Sequence, residues 1–483
     1  MESLNIISQF SAICLTLLIS IVFLIIGIYY SKSFIGLSNY LVANRSVGAF
    51  SLTASLVASA LGSWVLFGPA SAATWGGIGA VIGYSLGAAF PLLVLMSLGK
   101  KFRKQYPNGK TLTEVISLKF GKRLFQLILS LSIFYMTVFL IAEVTAVSTL
   151  VKYISGTDFW ITALIIILTS LTYTLYGGLR ASIFTDNIQF LVLVLFLLIS
   201  FSFLFYFNSS NFSISFIQES KPNLLSFNNY TNFTSGLTFF IAVAATNLFH
   251  QGNWQRVYAA KNDMVLKKSL FSSFLIIIPL VFMLGFTGLI AVSENNNVIP
   301  DLAFFSLLLK KQKILLSFVI VFLGISLTIS SIDTLINAIS SLIVVDGKNV
   351  ISYRGDFLKL SKIIIIFLSV ITFFVASKGL SILYLFLLAD LFCCAAVASI
   401  FFSFYKKSNN EKNIFISILV GLLGGLLFFP TPDFSKSIMI GIIVPTDYVP
   451  IFMSQSLLFF SFLIATFLPI IFWKINWKQR KEK

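Results

Sequence analysis

Within the apolar stretch GISLTISSIDTLINAISS, five polar residues recur at steps of four and three: Ser326, Ser330, Asp333, Asn337 and Ser340. That spacing puts them on one face of a helix, with a second row, Thr328, Ser331 and Thr334, beside it. Hydroxyl and carboxylate oxygens are the donors a hard cation such as Na⁺ prefers. The same stripe could serve hydrogen bonding between helices of a bundle. A second stretch, SLTASLVASALGSWVLFGPASAATWGG, holds small residues from Ala58 through Ser63, including Gly62, and then Gly68-Pro69. Its low helix propensity favours local unwinding. Unwound backbone at membrane depth is tolerated where it lines a cavity, and its carbonyls can then bind a cation. Tight packing of small side chains is the other reading.

Two carboxylates, Glu143 in LIAEVTAV and Asp390 in LLADLFCC, also lie inside apolar runs. At bilayer depth such groups are functional candidates by position, or else fixed partners of buried polar groups. In YGGLRASIFTDNIQ, Gly177-Gly178 allow a tight turn and Arg180 anchors it at the inner surface. Thr185 and Asp186 follow, either as a helix N-terminal cap or as part of an ion path.

The elements that must position these residues are membrane spans. The chain has 483 residues, 58% hydrophobic and 11% charged, with mean hydropathy +0.96. A soluble domain carries about 25% charged residues, so the composition is that of a multi-spanning membrane protein. Apolar runs of bilayer length predict thirteen spans: 6–30, 46–71, 77–99, 124–151, 158–176, 185–207, 234–250, 269–293, 314–345, 363–377, 380–405, 413–430 and 451–473. MESLNIISQF has no Lys or Arg ahead of the first run, so that run is expected to be a permanent span with the N-terminus outside. This topology puts 27 of the 34 Lys and Arg inside, Arg256 among them in an inner loop. That asymmetry is the positive-inside pattern, with the C-terminus cytoplasmic.

Several classes are excluded. The net charge of +17 follows from topology, and no basic groove with interleaved aromatics exists for nucleic acid. Cys14, Cys393 and Cys394 all lie in apolar runs and suggest no disulfide framework. A single histidine, His250, cannot build a histidine metal site. No paired acidic motif, Cys/His set or metal spacing marks an enzyme, and no organic cofactor is expected.

YTLYGGLRASIFTDNIQ, NWQRVYAAKN and SSIDTLINAISS occur in that order, and together they resemble the sodium:solute symporter family. The resemblance covers roughly 30–405. It implies an all-α integral membrane protein with the five-plus-five inverted repeat of the leucine-transporter type. The divisions would be an N-terminal helix and loop (1–45), a first repeat (46–207), an outer loop (208–233), a second repeat (234–405) and a C-terminal pair of helices with a tail (406–483). Each repeat would begin with a span that can break.

The family pattern further implies a Na⁺ site made by carbonyls of Ala58, Leu61 and Leu327 and hydroxyls of Ser330 and Ser331. Asp186, with Asp333 and Thr334, would form a second sodium site or an ion path. Substrate contacts would come from Ser59, Ser63, Trp64, Asn247, His250 and Gln251, with His250 equally readable as a packed helix-end residue. Proline carriers of the family have an aspartate where this chain has Ala60, and aromatics where it has Ala244 and Leu248, so proline is a poor candidate solute. The expected activity is Na⁺-coupled symport of a small polar organic solute (amino acid, carboxylate, urea or vitamin) across the cell's inner membrane. The oligomeric state is left open. Proton coupling through Glu143 or Asp390 is the nearest alternative. A solute-sensing receptor is another, and the expected lack of a soluble domain after KINWKQRKEK weighs against it.

Overall fold

The apolar runs fold as helices because a backbone in hydrocarbon must satisfy its own hydrogen bonds. The computed structural model describes residues 3–31, 37–207, 212–404, 411–443 and 456–478. In chain order its principal helices are α1 (Gln9–Ser31), α2 (Ala49–Ala60), α3 (Trp64–Gln105), α4 (Leu112–Lys119), α5 (Lys122–Ser155), α6 (Phe159–Phe207) and α7 (Tyr230–Phe249). There follow α8 (Gln251–Ala259), α9 (Asp263–Glu294), α10 (Ile314–Asp346), α11 (Phe357–Ala376), α12 (Ile382–Ser403), α13 (Glu411–Phe428) and α14 (Leu457–Lys478). Among the described residues ten helices are long and apolar enough to cross a membrane; three shorter apolar ones are Ala49–Ala60, Phe159–Thr172 and Leu457–Phe472.

The spans expected at 77–99 and 363–377 are longer than their apolar runs. The first continues through the charged end of α3 to Gln105, and the second begins at Phe357, where the Asp356 carboxylate accepts from Leu358 N at 2.8 Å. The expected outer loop 208–233 contains a short helix, Ile214–Ser220. Residues 208–211 and 451–455, and the cations Lys32, Lys406 and Lys407, lie outside the described residues.

The exterior is apolar and the interior partly charged, the reverse of a soluble protein. Leu191, Leu195 and Leu198 on α6 and Ile363, Phe367 and Phe374 on α11 are exposed, while Glu143, Asp186, Arg256 and Asp333 have no accessible surface. Water cannot provide their partners, so each must find them in the protein.

Three interruptions shape the centre. Helix α2 stops after Ala60, Leu61 leaves helical geometry (φ −104°, ψ 67°), and α3 begins at Trp64. Helix α7 stops at Phe249, and His250 (φ −62°, ψ 116°) turns the chain into α8. Helix α6 bends at Gly178, whose φ of 59° only glycine adopts readily; a side chain there would also strike the Tyr40 ring.

Candidate functional site

The two broken helices face one cavity. Ser59, Ala60 and Trp64 border it from the α2–α3 break, and Asn247, His250 and Asn253 from the α7–α8 break. Helix α5 adds Phe139 and Glu143, α10 adds Ser331, Thr334 and Leu335, and α12 adds Phe386 and Asp390. Of the residues expected to contact substrate, Ser59, Trp64, Asn247 and His250 are therefore at the cavity.

Ser63 and Gln251 are not. The Ser63 hydroxyl and backbone N–H both donate to Glu143 Oε2, at 2.5 and 2.9 Å. Gln251 Oε1 accepts from Leu112 N at 3.0 Å and its amide donates to Ser341 Oγ at 3.3 Å, which fastens α4 to α10. An amide so placed positions helices and has no free group for a solute. His250 combines both readings given to it: it borders the cavity, and its Nδ1 accepts from Gly252 N at 3.0 Å as the cap of α8. That bond fixes the neutral ring with its proton on Nε2.

The two polar rows of α10 face different neighbours. Ser331 and Thr334, the second row, border the cavity. The more regular row turns toward α6: Ser330 Oγ donates to Asp186 Oδ1 at 2.7 Å, and Asp333 accepts from Ser182 Oγ at 2.9 Å and Thr185 Oγ1 at 3.3 Å. Thr185 and Asp186 do not cap a helix N-terminus, because both lie two turns beyond the Gly178 bend, fully buried. Arg180 reaches the segment that leads into α2, donating to Ser46 Oγ at 2.8 Å.

Arg256, expected in a loop, is buried in α8. Its Nη2 donates to Asp186 Oδ2 at 2.8 Å and to Thr334 Oγ1 at 3.0 Å, and its Nε to Ser55 Oγ at 2.7 Å. Ser55 Oγ in turn donates to Asp186 Oδ2 at 2.5 Å. The carboxylate thus takes three bonds and the guanidinium is paired, which a charge at this depth requires. The signal for it was the lone Arg in NWQRVYA, together with the need of Asp186 for a countercharge.

Around Gly62 the polar groups are less complete. A methyl at Gly62 would collide with both Ser331 Oγ and Glu143 Oε1. Those two oxygens, though buried, have no hydrogen bond of ordinary geometry. Ala58, Leu61, Leu327 and Ser330 are fully buried close by in sequence on the same two elements. A hydroxyl such as Ser331 Oγ, left in this condition beside a broken helix, fits a small hard cation, whose coordination would satisfy it. Sequence reasoning also missed Asp301, which accepts from Ser71 Oγ at 3.0 Å, Ser381 Oγ at 3.2 Å and Ile382 N at 2.9 Å, and so joins α3 to the start of α12.

Comparison with known proteins agrees with this architecture. The model of the sodium:solute symporter family matches residues 40–421. A spermidine transporter of Candida albicans is 26% identical over 383 residues, covering 78% of this chain and 71% of the relative. The sodium/pantothenate symporter of Escherichia coli is 30% identical over 171 residues, 33% of this chain and 34% of the relative. A sodium/glucose cotransporter of Danio rerio is 30% identical over 161 residues, a quarter of that relative's length. Among solved structures, a Na⁺-coupled sialic acid symporter in a substrate-bound outward-open state aligns with TM-score 0.70 at 19% identity, over 95% of this chain and 96% of that one. A nucleobase-cation-symport-1 family transporter in a closed conformation aligns with TM-score 0.55 at 14% identity, over 91% and 96%. With four-fifths of its length matched by the family model, this chain belongs to the sodium:solute symporter family, whose members couple Na⁺ to the symport of small solutes by alternating access.

Proposed function

We propose that the cavity between the two broken helices binds a small polar organic solute, and that one Na⁺ beside it drives uptake. Carbonyls of Ala58, Leu61 and Leu327 and hydroxyls of Ser330 and Ser331 hold the ion. The observation that carries this assignment is the buried Ser331 Oγ, which at the point where α2 unwinds has Glu143 Oε1 beside it and no hydrogen bond of ordinary geometry. Ser330 is engaged differently: by donating its proton to Asp186 it keeps its lone pairs for a cation. Asp186 therefore orients one ligand of the ion.

In place of a second Na⁺, Arg256 bridges Asp186 and Thr334 as a fixed positive charge. Asp333, bonded to Ser182 and Thr185, completes the inner wall of that path. The N-terminus is outside and the C-terminus cytoplasmic, in the cell's inner membrane, by the distribution of Lys and Arg. Ser59, Trp64, Asn247 and His250 contact the solute.

The driving forces are sufficient. One charge crossing ~100 mV releases about 2.3 kcal/mol, and a tenfold Na⁺ gradient adds about 1.4 kcal/mol. Together they concentrate a neutral solute by roughly 10² to 10³. Coupling requires only that Na⁺ favour the state with the solute cavity formed and open outward. In proteoliposomes, solute uptake is expected to rise with an imposed inward Na⁺ gradient. Uptake that follows a proton gradient and ignores Na⁺ would transfer coupling to Glu143 or Asp390.

A further inference from the structure

Among the described residues two acids border the cavity, and no Lys or Arg does. Glu143 takes both bonds from Ser63 on Oε2, and its Oε1, fully buried, lies beside Ser331 Oγ with no hydrogen bond of ordinary geometry. Asp390 accepts from Thr246 Oγ1 at 2.7 Å and is 3% exposed. Neither is in a salt bridge among the described residues. The nearest buried cation in the sequence of the broken helix, Arg256, is committed to Asp186, Ser55 and Thr334. His250 is neutral by its cap bond. A buried carboxylate without a countercharge is costly, and an incoming cation removes that cost.

The rest of the wall suits a cation that is organic. Trp64 donates its indole N–H to Ala60 O at 3.0 Å, so what it offers a ligand is its ring face. Tyr84 stacks on it with ring centroids 5.6 Å apart and 19° between planes and is itself stacked on Phe239 at 4.9 Å, so the Trp64 face turned from Tyr84 is the one offered to the cavity. Phe139 and Phe386, 5.0 Å apart, add a second aromatic pair. Ring faces attract ammonium groups and apolar stems alike, and a bare Na⁺ would gain nothing from the stems' surroundings.

We infer that the solute is an organic ammonium, with Glu143 and Asp390 as its two anionic contacts and a diamine as the best-matched form. This rests on the symport reading for the location of the solute site, and it narrows the solute to amines. Carboxylates are excluded by the charge of the wall. The acids stand on different helices, α5 and α12, so a ligand charged at both ends can satisfy both, whereas a monoamine satisfies one.

The test is binding to the full-length protein in lipid nanodiscs, by calorimetry, in NaCl and in KCl. Three probes of one chain length separate charge from shape: 1,4-diaminobutane, 1,4-butanediol and succinate. The expected result is that only the diamine binds, and that Glu143→Gln and Asp390→Asn each weaken it tenfold or more. Asp390→Glu, which keeps the charge, should recover part of the loss and so separates charge from folding. Comparable binding of butanediol or succinate, or unchanged diamine binding in both neutral variants, would overturn the inference. Diamine binding that is identical in NaCl and KCl would leave the amine specificity standing and count against Na⁺ coupling. Glu143→Gln that abolishes the Na⁺ effect and leaves K⁺-medium diamine binding intact would reassign Glu143 to the ion.

Discussion

Two clusters of charge lie side by side in the centre of this molecule, and they are built on opposite plans. Around Arg256, the charges are answered: Asp186 accepts hydrogen bonds from Ser55, Ser330 and the guanidinium. Around Glu143 and Asp390, two buried carboxyl groups border a cavity that no Lys or Arg lines among the described residues. The first plan yields a rigid joint between α6, α8, α10 and the end of α2. The second yields a site whose energy is lowered by what enters. A transporter needs both, since a joint must keep its shape while the cavity exchanges its contents.

The comparison can be broken most severely at Arg256. Arg256→Gln leaves Asp186 buried without its countercharge, and loss of one partner of such a pair costs about 3–5 kcal/mol. A large fall in melting temperature and in yield is expected, with Arg256→Gln/Asp186→Asn recovering part of it. A fully stable single variant would mean that the pair is not the joint described here.

A middle effect is expected at Gly62. Alanine there meets Ser331 Oγ and Glu143 Oε1 together, and overpacking of this kind costs about 1–3 kcal/mol. Transport should fall further than stability, because the collision lies on Ser331 Oγ, assigned to the ion, and on Glu143, assigned to the solute. Equal activity in Gly62→Ala proteoliposomes would show that the cluster tolerates a methyl and is not a close-fitting ion site.

The smallest stability effect should come from the second cluster. Glu143→Gln and Asp390→Asn remove a buried acid that has no countercharge and keep the shape, so melting without solute should change by less than about 1 kcal/mol, or rise. A drop as large as that of Arg256→Gln would place these acids in the structural class, and the contrast between the clusters would disappear.

Much of this arrangement was legible in the residues. The run from Ala58 to Ser63 marked the break before α3, because small residues with Gly62 hold a helix poorly. Spacing on α10 marked two wet rows, since a 3.6-residue period projects directly onto helix faces. Which row faces the cavity was not legible: Ser330 and Ser331 are neighbours about 100° apart, and only packing against α6 decides between them. Arg256 was hidden because a cation followed by Lys261, Lys267 and Lys268 looks like part of an inner loop. Asp301, in a polar stretch after α9, carried no periodic signal, and its partners Ser71 and Ser381 are distant in sequence.

The central claim is that a Na⁺ ion is held where α2 unwinds against α10, and the most direct measurement is equilibrium binding of radioactive sodium to the purified protein in nanodiscs. Saturable binding that Ser331→Ala weakens tenfold or more, about 1.4 kcal/mol, is the predicted result. Binding of equal strength in the wild type and in Ser331→Ala, or no saturable binding in either, would contradict it.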